Sequence, residues 1–183
     1  VPDVRPPLPR RSADELDSAS INGDLFWSAR DMIRNLDVLA TAQAPNEAAY
    51  VPIAHTGDGA GLFDEGLLPG QIPVREAIAR LKPVMEDRGV LKVGQNLKFD
   101  WLILARHGIE IAPYDDAMLM SYALDSGRNG HGMNELAKAH LNHTCIAYEE
   151  VAGKGRMHVG FARVPIEKAT IYAAEDADVT LRL

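Results

Sequence analysis

Residues 90–108, VLKVGQNLKFDWLILARHG, decide how this chain folds. The β-branched run VLKVG (90–94) reads as a short buried strand, and the apolar stretch after it reads as a helix ending at His107. Asn96 is a residue type suited to capping that helix, and Gly108 stands just past its end, where a left-handed residue is favoured. Asp100 then falls in the first helical turn, where the helix dipole favours a negative charge. Such a junction at a strand's carboxyl end is a common place for sites in α/β folds. Read alone it needs no chemistry, since a cap and a dipole partner account for both polar residues.

Working outward, AAYVPIAH (48–55) reads as a second strand, followed by a glycine-rich loop over 56–71. PVREAIARLKPVMEDRG (73–89) carries Ile78, Leu81 and Met85 at helical spacing and stops at Gly89, with Pro83 expected to bend or split it. Further helices fit 116–124 and 133–141. The last begins at Pro165 and runs through IEKATIYAAEDADVTLRL, with Ile166, Ala169, Ala173, Ala177 and Leu181 as its apolar stripe. There are no internal repeats. The mixture is α/β, helices flanking a small sheet. Residues 1–20 hold four of the eleven prolines and the acidic residues Asp14, Glu15 and Asp17, which reads as a tail or linker before a domain over 21–183. The chain starts without methionine and stops inside a helix, so it is expected to be a piece of something longer.

Composition removes several classes of function. At 46% hydrophobic and 25% charged, the 183 residues can bury a core without staples. A single cysteine, Cys145, excludes an internal disulfide framework and a multi-cysteine zinc site, and points to a reducing, cytoplasmic setting. No apolar run is long enough to span a bilayer, and VPDVRPPLPRR at the start lacks the apolar region of a signal peptide. A net charge of −7 argues against coating duplex DNA by bulk electrostatics, while leaving room for carboxylates that hold metal ions.

A second special stretch lies in the last helix, Tyr172-Ala173-Ala174-Glu175-Asp176-Ala177-Asp178. Tyr172 and Asp176 are four apart and share a helix face, so a phenol beside a carboxylate could position a metal-bound water. A solvated acidic face with Tyr172 half-buried is the other reading. His140 and His143, near a helix end and without a third ligand, read as surface residues.

Together, KVGQNLKFD (92–100), LKPVMED (81–87), DDAMLMSYALDS (115–126), GHGMNELA (130–137), AYEEVAGKG (147–155) and YAAEDADVTLRL (172–183) resemble the 3′–5′ proofreading exonuclease domain of bacterial DNA polymerase I. The resemblance runs from about Ala48 to Leu183. It implies a ribonuclease H-like mixed sheet flanked by helices and membership of the DEDD superfamily. There, four carboxylates from three motifs hold two divalent cations, Mg2+ or Mn2+, about 3.5–4 Å apart, on the attacking and leaving oxygens of a phosphodiester. Asp100 matches the second-motif aspartate, Asp176 the third-motif aspartate and Tyr172 the water-orienting tyrosine. Ile171 stands where the histidine subclass has its histidine, so the tyrosine subclass is implied. Gln95 and Asn96 match contacts to the terminal nucleotides. Tyr148 matches an aromatic near the single strand, although packing against Phe161 would equally account for it, and Lys154 and Arg156 match contacts to backbone phosphates. The implied partners are a single-stranded DNA 3′ end and a polymerase domain in the same longer chain.

The resemblance breaks at the first motif, and with it the first strand. No Asp-x-Glu occurs in residues 1–60, and an ungapped alignment puts Gly23 and Leu25 on the two carboxylates. Asp24, one place off, is a poor substitute because a one-residue slip turns a strand side chain to the other face. Weak metal binding and little hydrolysis are therefore expected. Two explanations compete: a degenerate exonuclease kept as a structural module, or a misread segment over 1–45, for instance through a frame error upstream of Ala48. The abrupt contrast between matched body and unmatched head favours the second. An RNA-trimming exonuclease of the same superfamily is disfavoured by EEVAGKG and YAAEDADVTLRL. A non-catalytic module that binds single-stranded DNA or serves as a spacer is the rival from another class.

Overall fold

In the computed structural model, the structure describes residues 40–57, 66–127 and 130–183. The proline-rich tail, Gly23, Asp24 and Leu25 lie outside the described residues. The architecture is α/β, with small sheets flanked by helices. The expected mixed sheet is seen as two separate strand pairs among the described residues.

The first pair is a hairpin of β1 (Ala40–Ala44) and β2 (Glu47–Tyr50), antiparallel with an irregularity between Ala42 and Ala44. β1 has no counterpart in the sequence reading, and the strand expected over 48–55 ends at Tyr50, before Pro52. Both strands alternate half-buried and exposed residues, as a sheet covered on one face does. The turn is made by Asn46 at φ 64°, a left-handed conformation that asparagine tolerates. Its N–H donates to Asp178 Oδ1 at 2.5 Å, tying the hairpin to the last helix.

α1 (Val74–Glu86) follows the loop and runs without a break through Pro83. The lost hydrogen bond is tolerated because one face of the helix is held by packing: Ala77 is buried, and Val74, Ile78, Leu81 and Met85 pack on a core of Ile53, Leu97, Ile103, Leu104, Ile109 and Ile111. Ion pairs Glu76–Arg80 and Lys82–Glu86, both at 2.6 Å, dress its exposed side.

β3 (Lys92–Gly94), α2 (Lys98–Arg106) and β4 (Tyr114–Asp116) form a parallel β-α-β unit with Gly94 opposite Asp116. β3 is shorter and more open than expected, with Val90, Leu91 and Val93 exposed. Gly108, at φ 74°, ends α2 where a left-handed residue was expected. At the start of β3 the Lys92 ammonium donates to three carbonyls, Asp87 at 2.8 Å, Val90 at 2.7 Å and Ala112 at 2.6 Å. It thereby fastens the approach to β3 to the approach to β4.

α3 (Ala117–Leu124) follows β4 directly. α4 (Met133–Leu136) widens into a π-helical stretch, Ala137–Leu141, which left-handed Asn142 closes. After α5 (Tyr148–Ala152) and two short 3-10 turns, α6 (Ile166–Arg182) packs across β1 and β2 and reaches β3. Its buried positions are Ala169, Ala173, Val179 and Thr180, while Leu181 is exposed. Steps of four drift around a helix of 3.6 residues per turn, so the buried face leaves the expected Ala177–Leu181 line. It continues instead through 169, 173, 176 and 180. That path carries Asp176 inward. Among the described residues, no helix is long and apolar enough to cross a membrane.

Candidate functional site

The β3–α2 junction is built around glycine and one distant carboxylate. A Cβ on Gly94 would collide with the buried Leu97 side chain, so any larger residue there would displace Leu97 from the core. Asn96 does not cap α2. It sits left-handed at φ 58°, and Leu97, already helical, takes the position before Lys98. The orphan donors are met by Asp116: Asn96 N–H at 3.1 Å and Leu97 N–H at 2.8 Å donate to its two oxygens. Asp116 also caps α3, accepting from Met118 N–H at 2.9 Å and Leu119 N–H at 3.3 Å. A buried carboxylate with four backbone donors thus fixes two helix starts at once.

Asp100 lies in the first turn of α2, as expected. Water reaches its side chain, yet the protein mass around it and the Asp116 charge push its carboxyl up to about 6. Gln95 donates through Nε2 to the His131 carbonyl at 3.1 Å, and His131 Nδ1 in turn meets Ser121 Oγ at 2.9 Å. Gln95 Oε1, Asn96 Oδ1 and His131 Nε2 are buried without a hydrogen-bond partner among the described residues.

α6 brings the second group together. Tyr172 and Asp176 lie one turn apart, near enough for each to perturb the ionisation of the other. Burial, with Glu175 beside it, pushes the Asp176 carboxyl up to about 7 against the pull of the Tyr172 hydroxyl. Burial and the Asp176 charge raise Tyr172 far above the usual phenol range. Asp176 Oδ1 is buried and unpartnered among the described residues, an arrangement that a cation or water would relieve. Glu175 points elsewhere. It accepts from His143 Nε2 at 2.8 Å and from Ile146 N–H at 2.7 Å. His143 is therefore not the plain surface residue expected: it clamps the approach to α5 onto α6.

Tyr148, at the start of α5, packs as the second of its two expected readings has it. Its ring stacks on Phe161 with centroids 6.3 Å apart, and meets Tyr172 edge-on at 6.0 Å and His158 at 5.8 Å. Lys154 is exposed and paired with Glu149 at 3.4 Å, and Arg156 is exposed beside it.

The structure thus joins Tyr172 to Asp176 and Gln95, Asn96 and Asp100 to one junction. The acidic neighbour of Asp100 is Asp116 and that of Asp176 is Glu175, and neither aspartate is the charge that perturbs the other. Among the described residues, no group of three or more His, Cys, Asp or Glu is poised to hold a metal ion. The sequence reading gave Asp116, Glu175, His131 and His158 no role of their own. For Asp116 a signal existed, an acidic residue just before an apolar helix, but its partners 19 and 20 positions earlier left no local trace.

Comparison with known proteins follows the same outline. A family model described as 3′–5′ exonuclease matches residues 36–183. DNA polymerase I of Rhizobium leguminosarum is 54% identical over 136 residues, covering 74% of this chain and 13% of that protein. DNA polymerase I of Pseudomonas aeruginosa is 47% identical over 141 residues, 75% of this chain and 14% of that one. That of Chloroflexus aurantiacus is 29% identical over 158 residues, 85% and 15%. The chain spans a small fraction of the length of these relatives.

Proposed function

The chain belongs to the 3′–5′ exonuclease family, of the type found in DNA polymerase I, and from that premise we propose that it acts at a single-stranded DNA 3′ end, in the cytoplasm, beside a polymerase domain of the same longer chain. The observation that carries the proposal is the Tyr172–Asp176 pair, set one turn apart on the buried face of α6 within the stretch that the family covers. Two divalent cations, Mg2+ or Mn2+, would stabilise the charge that builds on the attacking and leaving oxygens of the phosphodiester. Of this chain's residues, Asp100 and Asp176 are the carboxylates offered to them. Tyr172, a phenol beside the Asp176 carboxylate, would orient a water through its hydroxyl. Gln95 and Asn96 would hold the terminal nucleotides, and Lys154 and Arg156 the phosphates behind them.

Two aspartates are an incomplete set. The described residues do not close a cage for two ions, and the sequence lacks the first-motif pair. That observation favours a second reading, an exonuclease-fold module that binds the DNA end without degrading it. Digestion of a 3′-labelled single strand in Mg2+ or Mn2+, with Asp176→Ala as control, separates the two. Metal-dependent shortening that the control lacks supports the nuclease, and Tyr172→Phe should then slow it while binding persists. Bound but undigested DNA supports the module. Shortening that survives both Asp176→Ala and Asp100→Ala sinks the site assignment, and an RNA strand digested in preference to DNA would overturn the substrate.

A further inference from the structure

The turn that leads into α4 makes a second link to the β3–α2 junction. Gly130 sits left-handed at φ 90°, and a Cβ there would press into the Glu135 side chain at 2.8 Å, so the position suits glycine alone. Gly132 then starts α4, its carbonyl accepting from Leu136 N–H at 3.0 Å. His131 lies between the two, half-buried, and is gripped at three points. Ser121 Oγ meets its Nδ1 at 2.9 Å, and the Tyr122 ring meets its imidazole edge-on with centroids 5.3 Å apart. Its carbonyl accepts from Gln95 Nε2 at 3.1 Å. The first two grips come from α3 and act on the side chain. The third passes from the backbone to a residue 36 positions earlier.

That third bond decides which way Gln95 faces. A carbonyl only accepts, so the amide nitrogen of Gln95 must be turned toward it and Oε1 turned away. Oε1 is buried without a partner among the described residues, as are Asn96 Oδ1 next to it in the chain and His131 Nε2. A glutamine free to rotate would carry an orphaned oxygen to water, because leaving it unpaired is costly. The bond to the His131 carbonyl is what holds it back. We infer that His131 is a positioning residue for Gln95: its imidazole, gripped by Ser121 and Tyr122, keeps its own carbonyl where it locks the Gln95 amide in the orientation that meets the strand end. A side chain fixed in advance loses less freedom on binding than one that must be ordered at that moment, and a contact is only as well placed as the residues behind it. The inference rests on the single-strand reading above, in which Gln95 holds the terminal nucleotides.

The test has two readouts, and neither needs hydrolysis. The first is the side-chain amide resonance of Gln95 in isotope-labelled protein without DNA. Gln71 is the internal control, since its amide is held elsewhere, by the His55 and Leu68 carbonyls. His131→Leu and Ser121→Ala should shift the Gln95 amide and speed its exchange with solvent while leaving that of Gln71 unchanged. His131→Asn, whose side chain can meet Ser121 from the place of Nδ1, should restore it. The second readout is binding of a labelled oligothymidylate in EDTA. Gln95→Ala and His131→Leu are each expected to weaken it roughly 2- to 10-fold, the worth of one hydrogen bond, and the double variant no more than Gln95→Ala alone. A Gln95 amide unchanged in both His131→Leu and Ser121→Ala, or a change that Gln71 shares, overturns the positioning role. Losses that add in the double variant overturn it as well, because His131 would then act apart from Gln95. A wild-type chain that binds no strand overturns the single-strand reading and the purpose given to the pair, and the amide resonances then judge the lock separately.

Discussion

At the residue scale, Asp176 carries a conflict that only a ligand resolves. Its carboxyl ionises at about 7 in the fold against an ordinary 3.8. Between those values the folded chain holds a proton that the unfolded chain has lost, so this residue's contribution to stability falls as pH rises from about 4 to about 7 and stays low above. Asp176→Asn keeps the shape and removes the charge. The variant should melt above the metal-free wild type at pH 8, with the gap closing toward pH 4, and thermal scans at the two pH values check it. Equal melting at both would show that the carboxylate is not strained by burial. Asp100, also raised, is open to water that screens the same effect, so Asp176 is the cleaner probe. Both aspartates and the tyrosine were legible because each sits in a dense local motif. Their surroundings were not, because burial is set by which helix face turns inward, and the stripe of alanines pointed slightly off that face.

At the element scale, the structure depends on one residue that joins two helices. Asp116 accepts from the backbone at the start of α2 and at the start of α3. Asp116→Ala is expected to lower stability by about 2–4 kcal/mol, because a lost cap costs about 1 and each buried N–H left unpaired about 1–3. Asp116→Asn, which keeps one acceptor oxygen, should fall between, and urea unfolding of the two variants measures it. A loss below that of a single ordinary cap would mean that the junction is held by packing instead. The helices themselves were well marked in the sequence. α1, α2, α3 and α6 lie within the stretches that periodicity and punctuation predict, and α4 with its π-helical extension covers the whole of 133–141. The capping role of Asn96 was wrong because a side chain can cap only from a β-like backbone, and the tight turn after Gly94 forces Asn96 left-handed. β1 escaped notice because its alanines alternate with threonine and glutamine, without large apolar residues.

At the scale of the whole molecule, the packing falls into separate apolar clusters, one under α1 and α2 and another between the hairpin, α5 and α6. His55 borders the second of these. It is fully enclosed, bonded to the Tyr50 hydroxyl at 2.5 Å, and in ring contact with Phe161. Burial lowers its affinity for a proton below the ordinary 6.5, against the pull of the Val164 and Ala162 carbonyls. The neutral ring therefore supports the fold fully above about 6.5, and that support is lost as pH falls below it. Asp176 acts in the opposite sense over the same range, so the comparison belongs in an Asp176→Asn background. There, stability from urea unfolding should drop more steeply between pH 6.5 and 5 than in the double variant that also carries His55→Gln. Parallel slopes would remove His55 from the account. No sequence pattern announced this histidine, since its partners come from three segments of the chain. The three carbonyls around Lys92 have a different consequence, for reactivity. A Lys92 side chain held by three carbonyls must break those bonds and swing outward before it meets an acylating reagent, so Lys92 should be modified last among the lysines under native conditions. In dilute urea, peptide mass spectrometry of acetylated protein should then record, at this one side chain, how often the β-α-β unit comes apart.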